Sequence, residues 1–340
     1  MTDNLIVLGI ESSCDETSAA ILKGSKVLSN IIASQKIHEE YGGVVPELAS
    51  RAHQQNIIPV VDVAIKSANI DKKDIDLIAY TKGPGLLGSL LVGTSFAKSL
   101  SFSLNIPLVS VNHMQAHILA HFIEHDEQEK PKFPFLCLTV SGGHTQIVKV
   151  KSYNEMKIIG STLDDAAGEA FDKSAKVLGL KYPGGPLIDK YAKEGNINAF
   201  TFGKPKIDNL DFSFSGLKTS IMNKINTSLQ KDKNFISNNL EDLCASIQES
   251  IVSILIDKIN KASLQTGISN IAIAGGVSAN SYLRKKLIEL GKNNNYKIYI
   301  PKFEYCTDNA AMIAIAGKYK FQTDDIVTDF SETASARLSF

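Results

Sequence analysis

The sequence predicts an α/β fold in which one unit, ordered βββαβαβα, occurs twice. Three observations predict it. Short apolar runs separated by Ser-, Asp- and Gly-rich turns open each half, near Leu5 and again near Phe135. Each opening is followed by helix-period segments alternating with strand-like runs. At 340 residues the chain exceeds the size that one hydrophobic core usually fills, and 44% hydrophobic residues are enough for two cores.

In the first half, Leu5–Ile10 reads as a buried strand because its apolar run is unbroken. Ser12–Thr17 is a turn, from which strands over Ala19–Leu22 and Lys26–Ser34 follow. Pro46-Glu47 has the composition of a helix start, and Ile57, Val60, Val61 and Ala64 continue it at helical spacing. Strand Asp76–Tyr80, helix Leu86–Phe102, strand Pro107–Val111 and a histidine-bearing helix complete the unit. The second half restarts with strand Phe135–Val140, the turn Ser141-Gly142-Gly143-His144, and strands Thr145–Val150 and Lys157–Ile159. Helices Ala166–Leu178 and Leu243–Ala262, strand Ile271–Ala274, helix Asn280–Leu290, strand Lys297–Ile300 and helix Asp308–Tyr319 repeat the order. Residues 181–240 read as a loop-rich insertion. The expected domains are 1–131 and 132–340, with the last helix packing back on the first. Two such lobes facing one another would enclose a cleft for a phosphate-bearing ligand.

Formal net charge is zero, which removes any whole-protein argument for nucleic-acid binding and leaves only a local patch. Lys190, Lys193, Lys204, Lys206, Lys218, Lys224 and Lys231 are the candidates, with a solvated lysine-rich surface as the alternative. Cys14, Cys137, Cys244 and Cys306 form no Cys-x-x-Cys pair, against both a disulfide framework and a four-cysteine zinc site. The apolar run at Leu5–Ile10 is too short for a signal or membrane segment, so a soluble, cytoplasmic protein with no membrane partner is expected.

His113 and His117 are four residues apart, a spacing that on a helix points both imidazoles the same way and makes a two-ligand claw. In zinc-protease helices a Glu directly follows the first His and acts as general base; Met114 stands there instead, so the ion must serve another purpose. His121 and His125 continue the spacing, but a straight helix drifts by about 40° per step, so one ion cannot take all four. His113 lies just past a strand end, where α/β proteins place ligands, whereas His125 lies among Glu124, Asp126 and Glu127. A third ligand is Asp308 or, nearby, Cys306.

Other motifs suit an anion. Ser141-Gly142-Gly143-His144-Thr145 lets backbone N–H groups approach a phosphate without a Cβ in the way, although a plain hairpin turn needs glycines too. Glu11–Thr17 occupies the matching turn of the first half, where acidic residues suggest a bridging cation or a proton acceptor, with a solvated turn rich in Ser and Asp as the alternative. Ala274–Asn280 ends a strand and opens a helix, with Asn280 as helix cap or ligand contact. Asp172 and Asp189 flank the turn Tyr182–Pro186, and either suits ribose hydroxyls.

Taken together, Gly9–Ala19, Val45–Asn56, His113–His117, Val140–Gln146, Asp164–Lys176, Asp211–Thr219, Ala274–Asn280 and Cys306–Ala314 resemble the actin-like ATPase superfamily. More closely, they resemble the bacterial branch of the tRNA adenosine threonylcarbamoyltransferase family. The resemblance spans the chain up to Gly317. It implies transfer of a threonylcarbamoyl group from threonylcarbamoyl-AMP to N6 of the adenosine 3′ of the anticodon, in tRNAs reading codons that begin with A, with release of AMP. It also implies one divalent ion, iron or zinc, held by His113, His117 and Asp308. Thr139, Val140, Ser141, Gly142 and Gly143 would cradle the adenylate or its threonyl end; Asp172, Gly185, Asp189 and Asn280 would grip the nucleoside. Asp15 and Glu16 match an acidic pair that members require. The implied partners are tRNA, a paralogous pseudo-enzyme and a small ATPase. The competing readings are an actin-like phosphotransferase, which would release ADP and usually carries Asp where Glu11 stands, and a non-catalytic nucleotide-dependent scaffold.

Overall fold

The structure is a computed structural model and describes residues 4–35, 37–125 and 129–340. Asp126 and Glu127, the expected acidic neighbours of His125, lie outside the described residues.

In chain order the elements are β1 (Ile6–Glu11), β2 (Thr17–Lys23), β3 (Lys26–Ala33), α1 (Ile37–Tyr41), α2 (Pro46–Ser67), β4 (Leu77–Gly83), α3 (Leu87–Leu104), β5 (Leu108–Asn112) and α4 (His113–Leu119). They continue with β6 (Phe135–Val140), β7 (Thr145–Val150), β8 (Met156–Ser161), α5 (Ala167–Val177), α6 (Gly184–Tyr191), α7 (Ser215–Leu229), α8 (Phe235–Asn238), α9 (Leu240–Thr266), β9 (Asn270–Ala274), α10 (Ser281–Asn294), β10 (Lys297–Tyr299) and α11 (Ala310–Phe321).

The repeat is real. One sheet runs β3-β2-β1-β4-β5 and the other β8-β7-β6-β9-β10, the same order. In each, the first strand pairs antiparallel with the second and parallel with the fourth, and the fourth pairs parallel with the fifth. Parallel β1, β4, β6 and β9 are buried on both faces, which is why their sequences are near-continuous apolar runs.

The chain divides into two compact units. The first is Met1–Pro131, Lys151–Met156 and Pro301–Phe340; the second is Lys132–Val150 and Lys157–Ile300. A boundary at 132–340 therefore differs from the observed one, since the segment from Pro301 belongs with the first unit. The cause is α11, whose residues Ala310–Tyr319 are all buried and which packs on β1 and β4. A helix that is apolar around its circumference over Ala310–Gly317 needs cover on every side. Two glycines allow this close approach: a Cβ on Gly9 would collide with the Ala310 carbonyl, and one on Gly317 with the Ala79 side chain. In the same unit, Ile57, Val60, Val61 and Ala64 of α2 pack with Leu8, Ile10, Ala19 and Ile21.

The second unit corrects the reading of residues 181–240 as loop-rich, since α6, α7 and α8 lie there. Leu217, Ile221 and Ile225, one turn apart, are the buried stripe of α7, packed in the same core as Phe212, Phe214 and Ile251. Pro183 precedes α6 and Gly184-Gly185 form its first turn, so Tyr182–Pro186 is a helix entry and not a free turn.

Candidate active site

β5 passes directly into α4 because Asn112 caps the helix. Its Oδ1 accepts from the Met114 and Gln115 N–H groups at 2.9 and 3.2 Å. His113 and His117 then share one side of α4, with ring centroids 4.7 Å apart and planes at 86°. They are 7% and 1% exposed. Asp308 arrives from the entry to α11, where Asn309 caps the helix through the Met312 N–H and the Ala310 N–H donates to Ser18 Oγ at 2.8 Å. Asp308 Oδ1 lies 3.1 Å from His117 Nε2 and 3.4 Å from His113 Nε2. One ligand atom from each of the three residues lies within 4.8 Å of the others.

The second nitrogen of His113 is also held. Its Nδ1 lies 3.0 Å from Glu11 Oε2 and 3.2 Å from Ser13 Oγ. Glu11 has no exposed surface, and it also accepts from Thr81 Oγ1 at 2.7 Å and from the Ser13 N–H at 2.5 Å. A carboxylate behind a histidine fixes the tautomer and frees Nε2 as a ligand, the usual support of a metal-binding imidazole. Two imidazole nitrogens and one carboxylate oxygen suit iron or zinc equally. Burial alone would raise the Glu11 carboxyl, but charge and hydrogen bonding from His113 hold it below the usual range. Asp308 is likewise low against the pull of burial, through His113 and His117. Burial works against charge on His113, yet Asp308 and Glu11 raise it well above the ordinary imidazole range.

Asp15 and Glu16 stand in the β1–β2 turn. Burial first, then the charges of Asp308 and Asp15, push the Glu16 carboxyl up to about 9. Such crowding of carboxylates is what a divalent cation relieves. His53 steadies the turn, with Nδ1 2.7 Å from Thr17 Oγ1 and Nε2 3.0 Å from the Cys14 carbonyl. Cys306 is not among the ligand atoms; its thiol donates to the Lys302 carbonyl at 3.3 Å. α4 ends at Leu119, His121 falls in a following 3₁₀ turn, and His125 lies outside any helix.

In the second unit, Thr139 and Val140 end β6 opposite Gln146 and Thr145. Ser141–His144 close the hairpin: the Ser141 N–H donates to the His144 carbonyl at 2.8 Å, and the His144 N–H to Ser141 Oγ at 3.1 Å. Gly142 and Gly143 are exposed, and a Cβ on either would meet open space. Gly275, with φ of 86°, passes the turn closely enough that a Cβ would lie 2.5 Å from the Val140 carbonyl oxygen. Asp172 Oδ1 accepts from the Gly184 and Gly185 N–H groups at 2.8 and 3.2 Å, anchoring the start of α6. Burial raises its carboxyl, and those two N–H groups pull it back. Asp189 accepts from Ser281 Oγ at 2.8 Å and the Ser281 N–H at 3.2 Å, tying α6 to α10. Asn280 caps α10 through the Leu283 N–H at 2.8 Å and donates to Gln248 at 2.7 Å. Among the candidate lysines, Lys218 pairs with Asp165 at 2.6 Å, which offsets its charge, whereas Lys204 donates to the neutral Ser253 hydroxyl.

Thr81 and His53 were not singled out as site residues; Glu11 and Ser13 stood inside the Glu11–Thr17 turn but without a role of their own.

Residues 26–315 match the family model described as TsaD, tRNA N6-adenosine threonylcarbamoyltransferase. A curated tRNA N6-adenosine threonylcarbamoyltransferase of Christiangramia forsetii is 63% identical over the whole of both chains, and one of Riemerella anatipestifer is 61% identical over 98% of this chain and 97% of its own. Among solved structures, full-length HypF matches with a TM-score of 0.60 at 15% identity, over 95% of this chain and 47% of that one. Component A of the Acidaminococcus fermentans (R)-2-hydroxyglutaryl-CoA dehydratase matches with 0.53 at 15% identity, over 93% and 98%. These distant likenesses bear on fold alone, and the fold is that of the actin-like ATPases. With sheet order, glycine turns and a full-length relative in agreement, the chain belongs to the tRNA N6-adenosine threonylcarbamoyltransferase family and is an enzyme of that class.

Proposed function

We propose that this enzyme moves a threonylcarbamoyl group from threonylcarbamoyl-AMP to the N6 amine of the adenosine 3′ of the anticodon, in tRNAs reading codons that begin with A. The observation that carries the reading is the convergence of His113 Nε2, His117 Nε2 and Asp308 Oδ1, with His113 Nδ1 backed by Glu11. These residues would hold one iron or zinc ion, which when bound polarises the carbamoyl oxygen or orients the threonyl end.

The remaining steps fall to side chains and backbone. Gly142 and Gly143 present N–H groups to the phosphate, while the Ser141 N–H, bonded to the His144 carbonyl, closes the turn that Thr139 and Val140 begin. Asp172, Gly185, Asp189 and Asn280 shape the nucleoside site; because Asp172 and Asp189 already serve α6 and α10, their contribution is placement of those helices. The N6 amine attacks the carbamoyl carbon, the new C–N bond forms, the bond to the phosphate oxygen breaks, and AMP leaves. The amine proton goes to Asp15. Glu16 is the second carboxylate of the same turn and contributes to its electrostatics beside Asp15. Measuring modified nucleoside and AMP with the Asp15→Asn variant tests this role: loss of transfer with retained adenylate binding supports it, and full activity removes it.

tRNA is the acceptor by family. A paralogous pseudo-enzyme and a small ATPase are the proposed partners. The apolar residues Ile58 and Val63 of α2 and Leu87 and Phe102 of α3 support a protein-binding surface there, Phe102 being 81% exposed. A cytoplasmic location is supported by four cysteines that form no disulfide and by the absence, among the described residues, of a helix long and apolar enough to cross a membrane.

A further inference from the structure

The segment after α11 lies along β4 and β5. The Val327 N–H donates to the Leu108 carbonyl at 2.8 Å, Glu332 pairs with Lys82, and Lys98 donates to the Phe330 carbonyl. Beyond Glu332 the chain engages the end of β4 and the loop after it: the Ser335 N–H donates to the Lys82 carbonyl at 2.8 Å, and the Gly85 N–H to the Ala336 carbonyl at 3.2 Å. Any Cβ on Gly83 would collide with the Ser335 carbonyl. Next to that loop is Ser13, whose carbonyl accepts from the Leu86 N–H at 2.7 Å and whose own N–H and hydroxyl reach Glu11 and His113. Further on, Asn112 Nδ2 donates to the Ser339 carbonyl at 3.0 Å.

Asn112 thus faces two ways. Its oxygen caps α4 one residue before His113, and its nitrogen is held by the tail. A side-chain amide whose NH₂ is anchored cannot turn its oxygen away, because flipping would set donor against donor at the helix and acceptor against acceptor at the tail. The cap also fixes the first turn of α4, and so the direction of both imidazoles.

We propose that Asn112 and the tail residues Ser335–Ser339 are positioning elements of the metal centre, a strap that sets the aim of His113 and His117. This rests on the metal reading given above. Cobalt(II) titration of the purified full-length protein tests it, read as affinity and as visible ligand-field absorption, with melting temperature and the split between kcat and donor KM alongside. The variants are a chain ended at Leu338, a chain ended at Ser339, Asn112→Ser, and Asn112→Ser combined with the Leu338 end. Serine keeps a capping oxygen but cannot reach the tail. Loss of outer-shell partners weakens metal sites by about 10- to 100-fold, and the effect here is at the low end, about tenfold. The Leu338 end and Asn112→Ser each weaken cobalt about tenfold, alter its absorption, and lower kcat with donor KM unchanged. Combined, they do no more than either alone, because both remove one interaction. The Ser339 end, which keeps that acceptor, behaves as wild type. Folded variants with wild-type cobalt affinity and absorption would overturn the strap, as would a lowered melting temperature with cobalt binding unchanged. If His117→Ala still binds cobalt as wild type does, the metal reading falls and the strap falls with it; if His117→Ala loses cobalt but the tail variants do not, only the strap falls.

Discussion

Glu11→Gln probes the least visible part of the metal centre. The carboxylate has no solvent contact and receives three hydrogen bonds, from the Ser13 N–H on one oxygen and from Thr81 and His113 Nδ1 on the other. Glutamine keeps the shape but replaces one oxygen with NH₂. Toward Oε1 the NH₂ faces the Ser13 N–H, donor against donor; toward Oε2 the Thr81 hydroxyl can turn to accept, but His113 must then accept on Nδ1, which moves its proton to Nε2 and removes the ligand lone pair. An unsatisfied buried donor costs about 1–3 kcal/mol, and loss of an outer-shell carboxylate weakens metal binding by about 10- to 100-fold. The two estimates agree on about 2 kcal/mol, or roughly 30-fold in affinity. Competition between the protein and a chromophoric chelator for zinc measures it, with circular dichroism confirming the fold. An affinity within about twofold of wild type would refute the assignment of Glu11 as the support of His113.

Three further outcomes are expected. Gly9→Ala drives a Cβ into the Ala310 carbonyl and against Ala314, so it destabilises the first unit by about 1–3 kcal/mol, read by urea unfolding, and weakens zinc binding because Asp308 lies two residues before that contact. Gly275→Ala, at φ of 86° and 2.5 Å from the Val140 carbonyl, weakens adenylate binding while leaving metal content per chain unchanged; equal loss of both would contradict the separate roles given to the two units. Asp164→Ala removes an acceptor for Ser213 and for the Phe214 and Ser215 N–H groups. Burial opposes it, but those hydrogen bonds hold the Asp164 carboxyl below its ordinary 3.8. A depressed carboxylate contributes stability above its unfolded value and loses it as pH falls through the folded one. The stability gap between wild type and variant, about 1 kcal/mol at pH 7, therefore shrinks below 3.8, and a gap that grows on acidification would contradict this.

The duplicated sheet order was legible because both copies carry their first strand as a continuous apolar run followed by a polar turn. The pairing of His113 with His117 was legible because both residues sit on one short helix. The contact of Glu11 with His113 was not, since Thr81 and His113 are 70 and 102 residues away from it and only the sheet brings them together. The helices inside 181–240 escaped notice because their starts carry few apolar signals: α6 begins Gly-Gly-Pro, and its entry is anchored by Asp172, twelve residues before Gly184. Asp172, Asp189 and Asn280 were legible as polar residues near turns but not as helix anchors, because each role depends on a partner supplied by another element.

The most direct test of the metal centre is transfer rate against bound metal. Protein stripped with a chelator and reloaded with iron or zinc, with partners, threonylcarbamoyl-AMP and tRNA supplied, is predicted to regain modified adenosine in proportion to occupancy up to one ion per chain, while His117→Ala neither binds the ion nor regains activity. Full transfer by the stripped protein, or by His117→Ala without metal, would contradict the account.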